Sequence, residues 1–260
     1  LLLAMDNSET PKKDFVELLH KACGEKLIYK HLPENPGLAV ALNMAACEAM
    51  KRRHSWLLTM DQDSRADKGM VEIMCRYIEH QGNGRIGIVS PFIRHSNDPA
   101  ILPSPEPVEE PLMVMTSGNL LNLEAFREVG SFREELFLDY VDYEYCLRLR
   151  RAGYRIVQVN SAVLQHQLGN MRRHRLLWKR PFVTHHSVLR RYYITRNRFF
   201  VNKIYGEDFP EFSRHEVKAF WQELLLILLF ERDRVQKLIA VIRGFCDYHR
   251  GILGKTYMTG

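Results

Sequence analysis

Along the first two thirds of the chain, short apolar runs closed by polar turns alternate with stretches whose apolar residues recur every three or four positions. Residues 1–5 form one such run and end at Asp6-Asn7-Ser8, which predicts a buried strand. Phe15, Leu18, Leu19 and Ala22 then keep helical spacing within residues 11–22, and Gly24 stops them. Residues 27–29 read as a second strand. At Asn35-Pro36-Gly37 an alanine-rich helix opens and runs to about Met50, with Asn35 expected as N-cap and Pro36 at the first helical position. Small Gly37, Ala39 and Ala41 let the start of that helix lie close to a neighbour or a ligand. Strands are expected at residues 56–60 and 86–89, with a helix over about 67–79 between them. This alternation predicts an α/β fold, a mostly parallel sheet flanked by helices.

The pattern lapses over residues 91–111, where six of the eleven prolines fall, and a long surface loop is expected there. Order resumes with a run at 112–115, then Thr116-Ser117-Gly118-Asn119, then a short helix capped by Asn122 and closed by Gly130. A helix over 141–151 ends at Gly153, and residues 155–159 and 163–165 read as short strands with His166 just beyond them. After Gly169 the strand signal stops. Residues 182–205, 212–230 and 232–252 read as helices, so a sheet domain over 1–170 and a helical C-terminal region over 171–260 are expected. There is no internal repeat and no low-complexity tract.

Composition adds two points. The five cysteines are odd in number, scattered and never in C-x-x-C, which argues against a disulfide framework or a zinc site and for a reducing, cytoplasmic setting. No secretory signal is visible, and the apolar run at 224–230 is far too short to span a bilayer. The net charge of +6 is unevenly spread. Fourteen of the 37 Lys and Arg residues, and none of the 31 Asp and Glu, fall within residues 145–206, leaving 23 basic against 31 acidic residues elsewhere. A stretch this one-sided is expected to face an anionic partner.

Candidate chemistry gathers where the apolar runs end. Leu57-Leu58-Thr59-Met60-Asp61-Gln62-Asp63-Ser64 closes an apolar run with two carboxylates spaced i, i+2. On an extended backbone such residues point to one side, so Asp61 and Asp63 can aim at one point, and paired carboxylates suit a hard divalent cation. The plainer alternative is an Asp-rich turn capping the next helix. Asp139-Tyr140-Val141-Asp142-Tyr143-Glu144 is a second acidic cluster, and Asp142 falls in the first turn of an expected helix. A carboxylate held there beside a bound sugar could take the proton of an attacking hydroxyl. The chain has no G-x-x-x-x-G-K-[ST], no G-x-G-x-x-G after its first strand and no G-x-S-x-G, so nucleotide hydrolysis on a P-loop, dinucleotide redox chemistry and serine hydrolysis are unsupported. Arg172-Arg173-His174-Arg175 and Tyr192-Tyr193 occur without a nucleic-acid reader motif, and no nucleic-acid partner is expected.

Taken in order, these stretches resemble family 2 glycosyltransferases of the GT-A fold, and within them a rhamnosyltransferase-like branch. The matching segments are Met5-Asp6-Asn7-Ser8, Asn35-Pro36-Gly37-Leu38-Ala39 with Ala41 and Asn43, and Leu58-Thr59-Met60-Asp61-Gln62-Asp63-Ser64. Thr116-Ser117-Gly118-Asn119-Leu120, Val129-Gly130-Ser131-Phe132 and the run from Leu136 through Glu144 follow, then Cys146-Leu147-Arg148 and Gly153-Tyr154. His166 with Leu168-Gly169, Arg191-Tyr192-Tyr193 and Arg196-Asn197 complete the series. The family's first strand, with its Pro-x-Tyr-Asn-type turn, has no counterpart ahead of residue 1.

The resemblance implies roles. Asp6 would contact the nucleotide base, Asn35 and Gly37 the donor-side loop, and Gly118 and Asn119 the floor beneath the transferred sugar. Arg191 and Arg196 would be further substrate-binding residues. Asp61 and Asp63 would hold a divalent metal, Mn²⁺ or Mg²⁺, and the ribose-diphosphate of the donor, with His166 a further ligand better suited to Mn²⁺. Asp142 would be the catalytic base, because it precedes a helix that carries an arginine, Arg148. The implied reaction is an inverting transfer of a sugar, rhamnose from dTDP-rhamnose, to a glycan or lipid-linked acceptor in cell-surface polysaccharide synthesis. A UDP-sugar donor (galactofuranose or glucose) and an inactive sugar-nucleotide-binding assembly protein are the competing readings.

In the C-terminal region Val217, Phe220, Trp221, Leu224 and Leu228 form an apolar helix face, followed by Arg232, Arg234, Lys237 and Arg243. Such a face fits packing on the catalytic domain, a second subunit in a homo-oligomer, or the inner surface of the plasma membrane as a peripheral contact.

Overall fold

The computed structural model describes residues 1–81, 84–95, 102–166, 172–173 and 182–256. The chain opens with β1 (Leu2–Asp6), α1 (Lys13–Cys23) and β2 (Leu27–His31), and β1 and β2 pair in parallel as a two-stranded sheet. Phe15 and Leu18 keep their helical spacing on α1, yet no residue of that helix is buried and both of these side chains are exposed. Next comes α2 (Leu38–Lys51), whose buried residues are the alanines Ala39, Ala41, Ala46 and Ala49 together with Leu42 and Asn43. Its N-cap is Gly37, at φ 99°, rather than the expected Asn35, which sits two residues earlier in a left-handed conformation of its own. Gly37 is required there. A Cβ would meet the Phe137 carbonyl oxygen at 2.7 Å and its ring at 2.8 Å.

The central sheet contains β3 (Trp56–Leu58), β4 (Ser64–Ala66), β5 (Ile86–His95), β6 (Val108–Glu109), β7 (Leu120–Asn122) and β8 (Arg155–His166). Its order is β3-β7-β5-β8-β4, with β6 also on the far edge of β8. Only β5 and β8 run parallel; the pairs β3–β7, β5–β7, β4–β8 and β6–β8 are antiparallel. The sheet is thus mixed, where alternation of elements predicts a mostly parallel one, because short strands return along its edges without crossover helices. Between β4 and β5 lies α3 (Met70–Gln81), whose Met70 and Met74 pack on the sheet.

The proline-rich stretch also departs from expectation. β5 passes through Pro91 to His95, instead of stopping at Val89, and a register shift falls between Pro91 and Phe92. At that point β7 has already ended, so the proline's missing N–H falls at an irregularity on a strand with one neighbour left. Residues 96–101 of the expected loop lie outside the described residues. The apolar run at 112–115 is irregular, and the two short strands expected at 155–165 are one, β8.

Asn122 caps α4 (Leu123–Val129), its side chain accepting from Glu124 and Ala125 N–H, and α5 (Val141–Arg151) follows a short 3₁₀ turn at Glu134–Leu136. The hairpin of β9 (Arg172–Arg173) and β10 (Phe182–Val183) leads to α6 (Val188–Tyr205), α7 (Pro210–Phe230) and α8 (Arg234–His249). The expected boundary near residue 170, with Leu168, Gly169, His174 and Arg175, lies outside the described residues. Ile194 and Val201 of α6, with Tyr205 and Phe212, share one apolar cluster with Leu42, Ile88, Leu121, Tyr145 and Ile156. The first of the C-terminal helices is therefore built into the core of the sheet region. No helix among the described residues is long and apolar enough to cross a membrane.

Candidate active site

Asp61 and Asp63 follow β3 at its carboxyl end, where the backbone is stitched to the Thr116–Asn119 turn. Thr59 N–H donates to Asn119 O, Gly118 N–H donates to Thr59 O at 2.7 Å, and the Thr59 hydroxyl donates to Thr116 O at 2.6 Å. Gly118 adopts φ 83°, and a Cβ there would strike Pro91 at 2.8 Å and Leu164 at 2.9 Å. Only glycine lets this turn reach the sheet beneath it.

The edge strand β4, which apolar patterning does not foreshadow, brings His166 to the aspartates. Its antiparallel register sets Ser64 opposite His166, so Asp63 is one residue from the imidazole although a hundred residues separate them in sequence. Ligand atoms of Asp61, Asp63 and His166 all lie within 4.8 Å of one another. A hydrogen-bond chain fixes them. Asp61 N–H donates to Ser117 Oγ, Ser117 donates to Ser64 Oγ at 2.7 Å, and Ser64 Oγ bonds His166 Nδ1 at 2.8 Å. The buried ring is thereby held by a hydroxyl on Nδ1, the nitrogen that also faces Asp63.

Desolvation pushes the Asp61 carboxyl above its ordinary value; Asp63 adds to the rise and His166 opposes it. Among the described residues no Arg or Lys lies within ion-pair distance of either aspartate, and the near charge partner of Asp63 is His166 at 3.6 Å. Two carboxylates and an imidazole without a fixed cation make a donor set that fits a divalent metal.

Asp142 begins α5 and is half-buried, with its Oδ1 accepting from Tyr143 N–H at 3.0 Å. Burial pushes its carboxyl up to about 6; Asp139 and Asp61 raise it further, and the backbone N–H groups oppose them. Asp142 also lines a small cavity with Thr59, Thr116, Asn119, Tyr145 and Cys146. The Oδ1 of buried Asn119 has no hydrogen-bond partner among the described residues.

The loop before Asp142 is held in an uncommon backbone shape. Phe137, Asp139 and Tyr140 all have positive φ, at 28°, 63° and 66°. Such residues persist only where the surroundings over-determine them. Here α6 supplies the grip. The Asn197 amide lies 2.8–3.0 Å from the carbonyls of Leu136, Leu138 and Asp139. Arg190 forks both carboxylate oxygens of Asp139, Arg198 donates to the Tyr140 hydroxyl, and that hydroxyl donates to Glu216 of α7. From the other side Asn43 of α2 accepts from Phe132 N–H and donates to Phe132 O. Asn197→Ala should orphan three carbonyls and lower stability by about 2 kcal/mol or more. kcat should fall further than KM rises. Thermal melting with steady-state kinetics reads both, and a variant normal in each would refute the grip.

The structure does not bring every expected residue to this cleft. Arg191 and Arg196 are corrected: both are buried and spent on internal partners. Arg191 binds Glu231, Glu223 and Thr184, and Arg196 binds Gly254 O, Thr256 and Asn197. Among the described residues, several arginines of the run at 145–206, expected to face an anionic partner, are likewise paired internally. Arg148, Arg151, Arg155, Arg190 and Arg198 pair with Glu144, Asp208, Glu110, Asp139 and Glu216, acids that lie outside the run. Asp6 ends β1 with its carboxylate bonded by Ser8 and by the Tyr29 hydroxyl at 2.6 Å. Burial works to raise its pKa, but these bonds and His31 outweigh it and hold the group below its ordinary value. Asn35 is exposed on the loop ahead of Gly37.

Residues 2–126 match the sequence profile of Glycosyl transferase family 2. Over that stretch, a little under half of the chain, the sequence is similar to family 2 glycosyltransferase domains. A relative in Shigella flexneri, dTDP-rhamnosyl transferase RfbF, is 26% identical over 255 residues, covering 92% of this chain and 81% of its own. Among solved structures the fold matches Staphylococcus aureus TarS at a TM-score of 0.56 and 14% identity, over 96% of this chain and 43% of that one. GalNAc-T7, in a structure with UDP, GalNAc and Mn²⁺, matches at 0.51 and 12% identity over 64% of this chain and 37% of its own. The chain thus spans less than half of these two structures, and the likeness is one of fold, a GT-A fold with C-terminal helices.

Proposed function

We propose that this glycosyltransferase moves rhamnose from dTDP-rhamnose to a hydroxyl of a glycan or lipid-linked acceptor, with inversion and with Asp142 as base. The observation that carries the reading is the raised carboxyl of Asp142, poised near neutrality within the field of Asp61. Asp61, Asp63 and His166 are the residues that would hold a divalent cation, which when bound offsets the charge developing on the departing diphosphate as a Lewis acid. The Mn²⁺ in the GalNAc-T7 structure, which shares the fold, supports that choice. Asp142, ionised above pH 6, accepts the proton of the acceptor hydroxyl as it attacks the anomeric carbon. Gly118 keeps the turn beneath the sugar low, and Asn119 offers it an unspent amide oxygen. The donor assignment leans on the likeness to the rhamnosyl transferase, and an acceptor in cell-surface polysaccharide synthesis is what the family resemblance implies.

A thermal-shift screen of dTDP-rhamnose, dTDP-glucose, UDP-galactofuranose and UDP-glucose, each with and without Mn²⁺, tests this. Stabilisation by dTDP-rhamnose that requires Mn²⁺, followed by transfer, is the expected result. A response confined to UDP-sugars would move the donor. Metal-dependent binding with neither transfer nor donor hydrolysis would mark a binding protein instead.

A further inference from the structure

The C-terminal helices have an outward surface that the transferase chemistry does not use. On α7, Val217, Trp221, Leu225 and Leu228 follow one another at spacings of three and four and are all exposed, Trp221 at 65%. On α8, Val235, Ile239 and Ile242 do the same, with Val235 at 70% and Ile242 at 62%. The expectation that this apolar face packs on the catalytic domain therefore holds only for its inner edge. Phe220 packs on Phe199 of α6, and Phe245 of α8 packs on the same ring, so one three-helix unit carries both outward faces.

Charge on these helices is sorted by side. Glu216, Glu223 and Glu231 turn inward onto Arg198, Arg191 and Lys237. Arg214, Lys218, Arg232, Arg234 and Arg243 are exposed, against two exposed acids on the same stretch, Glu211 at the start of α7 and Asp233 between the helices. Arg214 and Lys218 share the helical face of Val217 and Trp221, and Arg243 adjoins Ile242. The outward surface is thus apolar and cationic together.

We propose that the exposed faces of α7 and α8 dock on a bilayer containing anionic lipid. Inserted Trp and Leu side chains with cations at headgroup level are what such an interface rewards. A second copy fits less well, because a two-fold contact sets a patch against itself and would bring cations onto cations. A polyanion without a hydrocarbon phase would leave the leucines, Ile239 and Ile242 unrewarded. The inference needs no assumption about the donor or about Asp142, and none of its residues belongs to the cleft described above.

The test is co-flotation of the whole chain with phosphatidylcholine vesicles, with and without phosphatidylglycerol, while Trp221 emission is followed. Binding to the anionic vesicles alone, with a blue shift and release by high salt, is expected. Trp221→Phe should abolish most of the shift and keep the binding. Trp221→Glu with Leu225→Glu should abolish binding while leaving melting and transfer to a water-soluble acceptor unchanged. Each exposed cation reversed to Glu should weaken partitioning roughly fivefold or more. Failure to bind anionic vesicles at low salt would overturn the proposal. So would unaltered binding by the double variant, or a concentration-dependent dimer that buries Trp221.

Discussion

Asp142→Asn should reduce sugar transfer by about 10²–10⁴-fold while leaving metal-dependent donor binding intact, because it removes the proton acceptor and almost nothing else. The amide oxygen can still accept from Tyr143 N–H, so the start of α5 is preserved. The same substitution should make the protein more stable. With its carboxyl pushed up to about 6 from an ordinary 3.8, ionised Asp142 costs the fold roughly 3 kcal/mol at neutral pH. The sign follows from a pKa raised on folding. Stability linked to this group is complete below the unfolded value, is lost as pH rises through about 6, and should be pH-independent there in the variant. Activity runs the opposite way, with kcat/KM falling about tenfold for each pH unit below that point. Near-normal turnover by Asp142→Asn would remove the residue from the role of base.

The second large effect is expected at Asp63. Its side chain is more than half exposed and approaches His166 at 3.6 Å, so Asp63→Ala should fold normally. Losing one of three clustered ligands should raise the Mn²⁺ needed for half-maximal donor binding by about 100-fold or more, and transfer should fall with it. Ser64→Ala is the graded companion. It removes the hydroxyl that orients His166 and should weaken metal response by about tenfold, without touching a ligand. Isothermal titration of Mn²⁺ in the presence of donor nucleotide distinguishes the two, and equal, unchanged affinities would disqualify the Asp61-Asp63-His166 cluster. Asp61 offers an internal check, since deleting Asp63 removes one of the charges that raise its carboxyl.

The parts of this site legible in the sequence are those set by local geometry. An i, i+2 pair of carboxylates ending an apolar run needs only an extended backbone to converge, and Asn122 before α4 needs only a helix to cap. What reaches across the chain was legible through family resemblance or not at all. His166 meets the aspartates because β4, three residues long, pairs in one register with the end of β8. The arginines of α6 were misread for a physical reason: a run without acids looks unneutralised until Glu216, Glu223 and Glu231, twenty to forty residues on, fold back against it. Pro91 likewise carries the sequence signal of a loop, whereas a strand with a free edge and a bulge tolerates it.

The grip on the Asp142 loop has a consequence for how the protein comes into being. Asn43 is made early, but Asn197, Arg198 and Glu216 come late, and Gly254 N–H completes the set by donating to Glu135 O at 2.7 Å. A nascent chain that has already emerged through β8 has its sheet residues in hand and still lacks the contacts that hold Phe137, Asp139 and Tyr140 in place. The Asp61-Asp63-His166 cluster can therefore form while synthesis continues, whereas Asp142 is set only once α6 and α7 have docked. Activity should switch on once α6 and α7 have been made and docked, rather than grow with chain length.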